Sequence, residues 1–360
     1  VILIAALAAA TLVPGATAGT KRTFLYAHDN GIANRVWGFE LTKTGTLEPL
    51  PGGPVDTNNS RFDLSGVAGT AAYSAKKKLL FTAGGSGVSA FRVGADGSLT
   101  LVEGSPFLPQ AEMESVTVAE IGKRTYVYAS EPASGVIHLY DVHKDGTLVE
   151  VDVEMYVGDA PTGMKVVNNI IYFGRRDGTT AGCKIRKDGT LVPIPGYDLE
   201  FAGPVNMVYP DVKGKNLFIK DAATPQFFAF KLAKKRAKEH GQSPYESTVS
   251  TTAGLSALAV GAGKHVFALG SLNGEGDVQA FKVTKKGKLK ASETTQDSGL
   301  TNLKGGAIDP SGRFLVLVDD VNDTLKSFAI NKATGALTLV DTETVAFGDD
   351  DVNGLVFVKR

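Results

Sequence analysis

The chain has 360 residues, of which 43% are hydrophobic and 21% charged, and its 38 Lys and Arg are balanced by 38 Asp and Glu. That composition describes a soluble globular protein with room for two ordinary domains or one large closed β-structure, and the charge balance gives no reason to expect a nucleic-acid partner. A single cysteine, Cys183, excludes an internal disulfide framework and any zinc site built from several cysteines, and the five histidines form no HExxH motif or close pair.

Residues 1–18 differ from everything after them. An apolar run from Val1 to Val13 leads into Pro14, Gly15 and the small-residue string Ala16-Thr17-Ala18, a pattern like that of a signal-peptidase site. The run is too short to span a bilayer comfortably, and no lipobox cysteine follows it. The expectation is export to the periplasm or the extracellular space, with 1–18 a signal peptide or its remnant (a retained amphipathic or lipid-facing tail being the alternative) and 19–360 one domain without a stable membrane span.

Along that domain one unit recurs. Its clearest marks are tight turns followed by a strand: Thr44-Gly45-Thr46-Leu47, Asp96-Gly97-Ser98-Leu99, Asp145-Gly146-Thr147-Leu148, Asp188-Gly189-Thr190-Leu191, Lys286-Gly287-Lys288-Leu289 and Thr334-Gly335-Ala336-Leu337. Glycine at such a turn adopts φ > 0, and Asp or Thr bonds the local backbone. The marks are 52, 49, 43, 98 and 48 residues apart, so the gap of 98 counts as two periods and there are seven units. The missing mark is replaced by the charged segment 234–241, KKRAKEHG. It reads as a solvated outer hairpin or short helical turn, with a docking patch as the alternative.

Each unit offers a small-residue strand, an aromatic-aliphatic strand such as Leu79-Leu80-Phe81, a third strand alternating around an aromatic, and a fourth beginning at the turn mark. Four strands repeated seven times predict an all-β fold, a seven-bladed β-propeller with four-stranded blades. The first unit starts at its second strand, Thr23, and 353–359, NGLVFVK, supplies the missing innermost strand. The ring is therefore expected to close through the C-terminal strand, beside Phe24 to Ala27, which removes exposed sheet edges. Tyr26, Tyr128, Tyr172, Phe218 and Phe267 fall at equivalent positions and read as inter-sheet core. Cys183, within a predicted strand, reads as a buried structural thiol.

The passage Ala307-Ile308-Asp309-Pro310-Ser311-Gly312-Arg313-Phe314-Leu315, followed by Leu325 to Ile330 and Ala333-Thr334-Gly335-Ala336-Leu337, resembles the repeated blade of the lactonase family of seven-bladed propellers. That family includes 6-phosphogluconolactonases and carboxymuconate cyclase-like proteins. The resemblance covers Thr23 to Arg360 and implies action on a sugar-acid or other small lactone, with histidine, arginine and glutamate around the mouth of a central cavity. Lys304 stands where enzymatic relatives often carry arginine, keeping the positive charge without the bidentate fork.

In a propeller the loops entering the first strand and leaving the second share one face near the channel. Lactone hydrolysis needs a base to activate water, and cations or donors to hold the developing oxyanion. Glu131 or Glu112 would supply the base, and His28 would move protons near neutral pH. Its alternative is a packing or capping residue at a strand end. Arg61, Arg175 and Lys304 would hold the oxyanion or a substrate carboxylate or phosphate, with Asn206 on the same face. Asp320 and Asp351, in the acidic groups 319–320 and 349–351 of neighbouring loops, suit a divalent cation such as Ca²⁺ or Mg²⁺. Two functions remain open: a lactone hydrolase, and an exported non-catalytic propeller that binds a small ligand or a protein.

Overall fold

The computed structural model describes residues 21–360 apart from 30, 32–33, 62–69, 109–110, 152–154, 221–223, 250–254, 273–274, 285–287, 302, 320–321 and 348–351. The leader assignment for 1–18 lies outside the described residues.

Seven antiparallel sheets form the blades of a propeller. From the axis outward, blade 1 comprises Val352–Lys359, Thr23–Asp29, Arg35–Leu41 and Leu47–Pro49. Blade 2 comprises Ala71–Ser74, Leu79–Gly84, Gly87–Val93 and Leu99–Leu101; blade 3 Ser115–Ile121, Arg124–Glu131, Val136–Val142 and Leu148–Glu150. Blade 4 comprises Pro161–Val167, Ile170–Arg175, Thr180–Ile185 and Leu191–Pro193; blade 5 Val208–Pro210, Asn216–Lys220, Gln226–Ala233 and Arg236–Glu239. Blade 6 comprises Ala257–Val260, His265–Leu272, Glu275–Val283 and Leu289–Leu300; blade 7 Leu303–Ile308, Phe314–Asp319, Thr324–Ile330 and Leu337–Thr344.

The ring closes as the sequence implies. The C-terminal strand pairs antiparallel with the first, Phe24 opposite Val358 and Ala27 opposite Leu355, and Arg22 and Arg360 exchange backbone hydrogen bonds just beyond. The charged segment 234–241 is the outer hairpin of blade 5, with Ala233 opposite Arg236. Blades 1, 3 and 5 go beyond four strands: Val55–Asp56, Met155–Tyr156 and Tyr245–Glu246 pair with the third strand of their own blade. In blades 1 and 5 the chain turns through Pro51-Gly52-Gly53-Pro54 and Gly241-Gln242-Ser243-Pro244. Proline and glycine cannot continue a ladder there, so the edge is split into two short pieces.

The second strand of each blade is apolar on both sides because it serves two gaps at once. Phe24 and Tyr26 pack toward blade 2, whereas Leu25 and Ala27 pack toward blade 7. Tyr126 and Tyr128 join the core with blade 4, while Val127 and Ala129 join the core with blade 2. The repeated turn glycines explain how the blades lock together. Gly45, Gly97, Gly146, Gly189 and Gly335 all have φ between 84° and 98°. A Cβ there would also meet the preceding blade, striking Phe314, Phe24, Tyr126 and His265 from Gly45, Gly97, Gly189 and Gly335 and pressing on Leu79, 3.3 Å away, from Gly146. Tyr26 and Tyr128 donate their hydroxyls to the turn carbonyls of Gly97 and Gly189, at 2.7 and 2.6 Å. Asp96, Asp145 and Asp188 finish these turns by accepting the N–H and hydroxyl of Ser98, Thr147 and Thr190.

Candidate functional site

Seven inner strands converge on the axis, and their small residues leave it open. Ala71, Ala257, Gly305, Gly306 and Gly354 border a cavity of about 740 Å³. At two of the glycines a side chain cannot be added freely: a Cβ on Gly306 would lie 2.8 Å from Leu317, and one on Gly354 would lie 2.6 Å from Thr70 Oγ1. The close approach of the blades thus requires glycine at 306 and 354, and a ligand-sized space lies beside them.

Three lysines, Lys165, Lys220 and Lys304, line this cavity together with Asn206 and Ser256, and among the described lining residues no carboxylate faces them. Lys304 is the second residue of its inner strand, at the end where the loops enter. Lys220 ends the second strand of blade 5 at that same face and donates to the Leu255 carbonyl at 2.9 Å. Lys165, fifth in Pro161–Val167, sits deeper. Its side chain keeps some access to the channel, but protein surrounds its ammonium, and burial lowers its pKa. Three lysines lining one cavity give it a positive potential that suits an anionic ligand.

At the same face, Glu114 precedes the inner strand of blade 3 and Arg176 follows the second strand of blade 4. Glu114 is 1% exposed. Its N–H donates to the Ser130 carbonyl at 2.9 Å, and its Oε2 accepts from the Arg176 guanidinium at 2.9 Å. Burial pushes its carboxyl up to about 7, against the opposing pull of Arg176. A carboxyl poised near neutrality is suited to accept and return a proton.

The sequence-derived candidates divide between the cavity and other places. Asn206 and Lys304 line the cavity. Glu112 is exposed, while Glu114, two residues on and immediately before the inner strand, is the buried partner of arginine. Arg175 turns toward its own blade, stacking over Phe173 and donating to Thr179 Oγ1 and the Thr180 carbonyl. Its neighbour Arg176 makes the ion pair. Arg61 is exposed at the edge of the second-blade entry loop.

His28 does not reach the mouth as a free proton carrier. It is fully buried, with Nδ1 2.9 Å from Thr70 Oγ1 and Nε2 3.0 Å from Asn34 Oδ1, and burial lowers its pKa. This is the packing alternative in physical form. Glu131 is held in the blade rather than aimed at the axis. It accepts from Ser134 Oγ at 2.6 Å and lies 3.0 Å from His138 Nε2, whose Nδ1 meets Glu150 at 2.7 Å. These bonds outweigh the burial of Glu131 and leave its pKa lowered.

Asp29 and Asp319, at the same strand-end position in blades 1 and 7, likewise fasten their own loops. Asp29 accepts from Trp37 Nε1 at 2.9 Å, and Asp319 accepts from the Thr301 and Asn322 N–H groups. The proposed metal ligands Asp320 and Asp351 lie outside the described residues. Among the described residues, no group of three or more His, Cys, Asp or Glu side chains is gathered for a metal. Cys183 is buried, and burial pushes its thiol up to about 11, which makes it a poor nucleophile.

Lys165 was not singled out from the sequence. The available signal is one lysine inside the otherwise apolar inner strand PTGMKVV.

Residues 226–349 match the family model for the lactonase, seven-bladed β-propeller. Among solved structures, a Bacteroides fragilis protein described as a candidate 6-phosphogluconolactonase superposes with a TM-score of 0.73 at 18% identity, over 95% of this chain and 99% of that one. A Bacteroides uniformis protein described in the same way gives 0.68 at 14% identity, over 94% and 99%. The periplasmic gluconolactonase of Pseudomonas aeruginosa gives 0.70 at 14% identity, over 94% and 99%. At such identities the superpositions show the fold. No curated protein sequence matches the chain.

Proposed function

We propose that this chain, a match to the lactonase family of seven-bladed propellers, is an exported protein that takes an anionic sugar-acid lactone into its axial cavity and hydrolyses it. The observation that carries the reading is the cavity of about 740 Å³ lined by Lys165, Lys220 and Lys304. The family match supplies the reaction class. The apolar leader of residues 1–18, together with a periplasmic gluconolactonase among the structural relatives, supports the location. Among the described residues no helix is long and apolar enough to cross a membrane.

Hydrolysis adds water across the ester: the water oxygen bonds to the carbonyl carbon, the ring C–O bond breaks, and a proton moves from water to the departing oxygen. In this reading Lys304 and Lys220, near the entry, hold the substrate carboxylate or phosphate and the oxyanion, while Lys165 supplies positive potential from below. Glu114, buried beside Arg176 at the same face but outside the described cavity lining, replaces Glu131 as the acid–base candidate, a role that requires it to gain access to bound substrate. A non-catalytic propeller that holds the same anion is the second reading. It is favoured by the commitment of His28 and Glu131 to internal bonds.

Titration calorimetry with gluconate and 6-phosphogluconate tests the cavity directly. The phosphorylated acid should bind more tightly, and Lys304→Gln or Lys165→Gln should weaken it by about tenfold, roughly 1.4 kcal/mol. Equal affinity in the lysine variants, or no binding by the folded wild type, would remove the anion site and the function built on it.

A further inference from the structure

The formal charges cancel over the whole chain but not along it. Within residues 211–290 there are 14 Lys and Arg against 6 Asp and Glu, so the remainder of the chain is correspondingly acidic. The excess is concentrated on the face opposite the loops that enter the inner strands. There a groove of about 620 Å³ runs between blades 5 and 6, bordered by Lys213, Lys215, Lys231 and Lys264. All four are exposed, and none makes a salt bridge among the described residues. The single carboxylate in the lining, Asp211, accepts from the N–H groups of Lys213 and Lys215 and from Asn216 Nδ2, which fixes the loop that presents the lysines.

Strand pairing adds an independent sign. Lys231 stands directly opposite Lys238 in blade 5, and Lys282 directly opposite Lys290 in blade 6. Like charges in register across a ladder are destabilising; of these four lysines Lys231 borders the groove, where an external anion would relieve it, while Lys282 donates to the Ala333 carbonyl of blade 7. The field extends to two histidines beneath the surface. His240 has its pKa lowered by burial and then by Lys231; His265 has its pKa lowered by burial and then by Lys282 and Lys264.

We infer that the groove between blades 5 and 6 is a docking site for an acidic polysaccharide, a chain of spaced carboxylates or sulfates lying across Lys213, Lys215, Lys231 and Lys264. The groove has no aromatic side chain in its lining, so it offers no platform for stacking the bases of a single strand, and a duplex is left to the comparison below. A lipid surface fits less well. The site is concave, and its one large exposed aliphatic residue is Val212, 60% exposed. Val212, Gly261 and Ala262 border both this groove and the axial cavity, so a bound chain would pass beside the far end of the channel. The docking site stands apart from the proposed hydrolysis and needs no catalytic group.

The test uses the full chain and a heparin octasaccharide as probe, with affinity measured by calorimetry at rising NaCl. Binding should weaken by about tenfold or more between about 50 and 200 mM salt, as expected when several ion contacts release counterions. The combined Lys213→Gln, Lys215→Gln, Lys231→Gln and Lys264→Gln variant should lose it. A control carrying Lys123→Gln, Lys144→Gln, Lys184→Gln and Lys187→Gln, equal in charge and exposed on blades 3 and 4, should retain it. Should the groove variant melt early, Lys231→Gln alone must still weaken binding more than Lys187→Gln alone. Absence of binding at 50 mM salt, equal loss in both variants, or tighter binding to a 20-base-pair DNA duplex or to phosphatidylglycerol vesicles would each overturn the inference.

Discussion

Replacing Glu114 with glutamine should change how stability depends on pH, and the structure sets the size of the change. Burial raises this carboxyl from 4.5 to about 7 even with Arg176 alongside. A difference of that size corresponds to about 3 kcal/mol between its two protonation states. The sign follows from where the proton sits. Between about pH 4.5 and 7 the folded protein keeps the proton that the unfolded chain has released, so stability falls as pH rises. The contribution is complete below about pH 4.5 and absent above about 7. Glutamine cannot titrate, so Glu114→Gln removes this slope while other groups shared by both proteins cancel. Urea melts of both proteins from pH 4.5 to 8 give the comparison. The glutamine variant should gain about 3 kcal/mol relative to wild type across that range. Parallel curves, with the difference moving by less than about 1 kcal/mol, would refute the claim that Glu114 carries a proton near neutrality.

Three further outcomes are expected. Deleting residues 355–360 removes the pairing of Phe24 with Val358 and the buried Val358 side chain, so calorimetry should show an early or non-cooperative melt; a transition at the parental temperature would count against ring closure as a source of stability. Gly97→Ala places a Cβ about where the Phe24 ring lies, 2.6 Å away, at φ 90°. It should cost roughly 1–3 kcal/mol in a denaturant melt, and a neutral result would mean that the turn does not lock the blades. Lys165→Met replaces an enclosed ammonium with an apolar chain of similar length. It should raise stability by about 1 kcal/mol while weakening anion binding, and a loss of stability would show that the ammonium has a favourable partner in the resting protein.

The fold was legible because propeller architecture is written as period and punctuation. Turn glycines repeat at a spacing near one blade, and Asn353 to Lys359 completes a unit that starts one strand short. What the spacing did not reveal is that Gly45, Gly97, Gly146, Gly189 and Gly335 also face the preceding blade, since that contact joins separate repeats. The short fifth strands of blades 1, 3 and 5 escaped for a related reason: two residues are too few to carry a periodic signal.

The site was less legible because its side chains sit at strand ends, where one residue decides direction. Glu112 and Glu114 are indistinguishable as residue types, as are Arg175 and Arg176, yet only Glu114 and Arg176 meet. His28 stands at a strand end of the repeat, where the sequence does not show its enclosure by Thr70 and Asn34. Asn206 and Lys304, which precede or open inner strands, line the cavity, whereas Lys165 lies within an apolar run that gave no such cue.

The most direct test of the central claim is hydrolysis of a lactone panel by the mature protein, followed as acid release above the spontaneous rate. Phosphorylated and unphosphorylated sugar lactones should be compared in wild type, Lys304→Gln and Glu114→Gln. The account predicts saturable turnover with a preference for the anionic lactone, a preference reduced by about tenfold in Lys304→Gln through KM, and a loss of kcat in Glu114→Gln. Turnover indifferent to substrate charge and to both substitutions, or none from a folded protein across the whole panel, would contradict it.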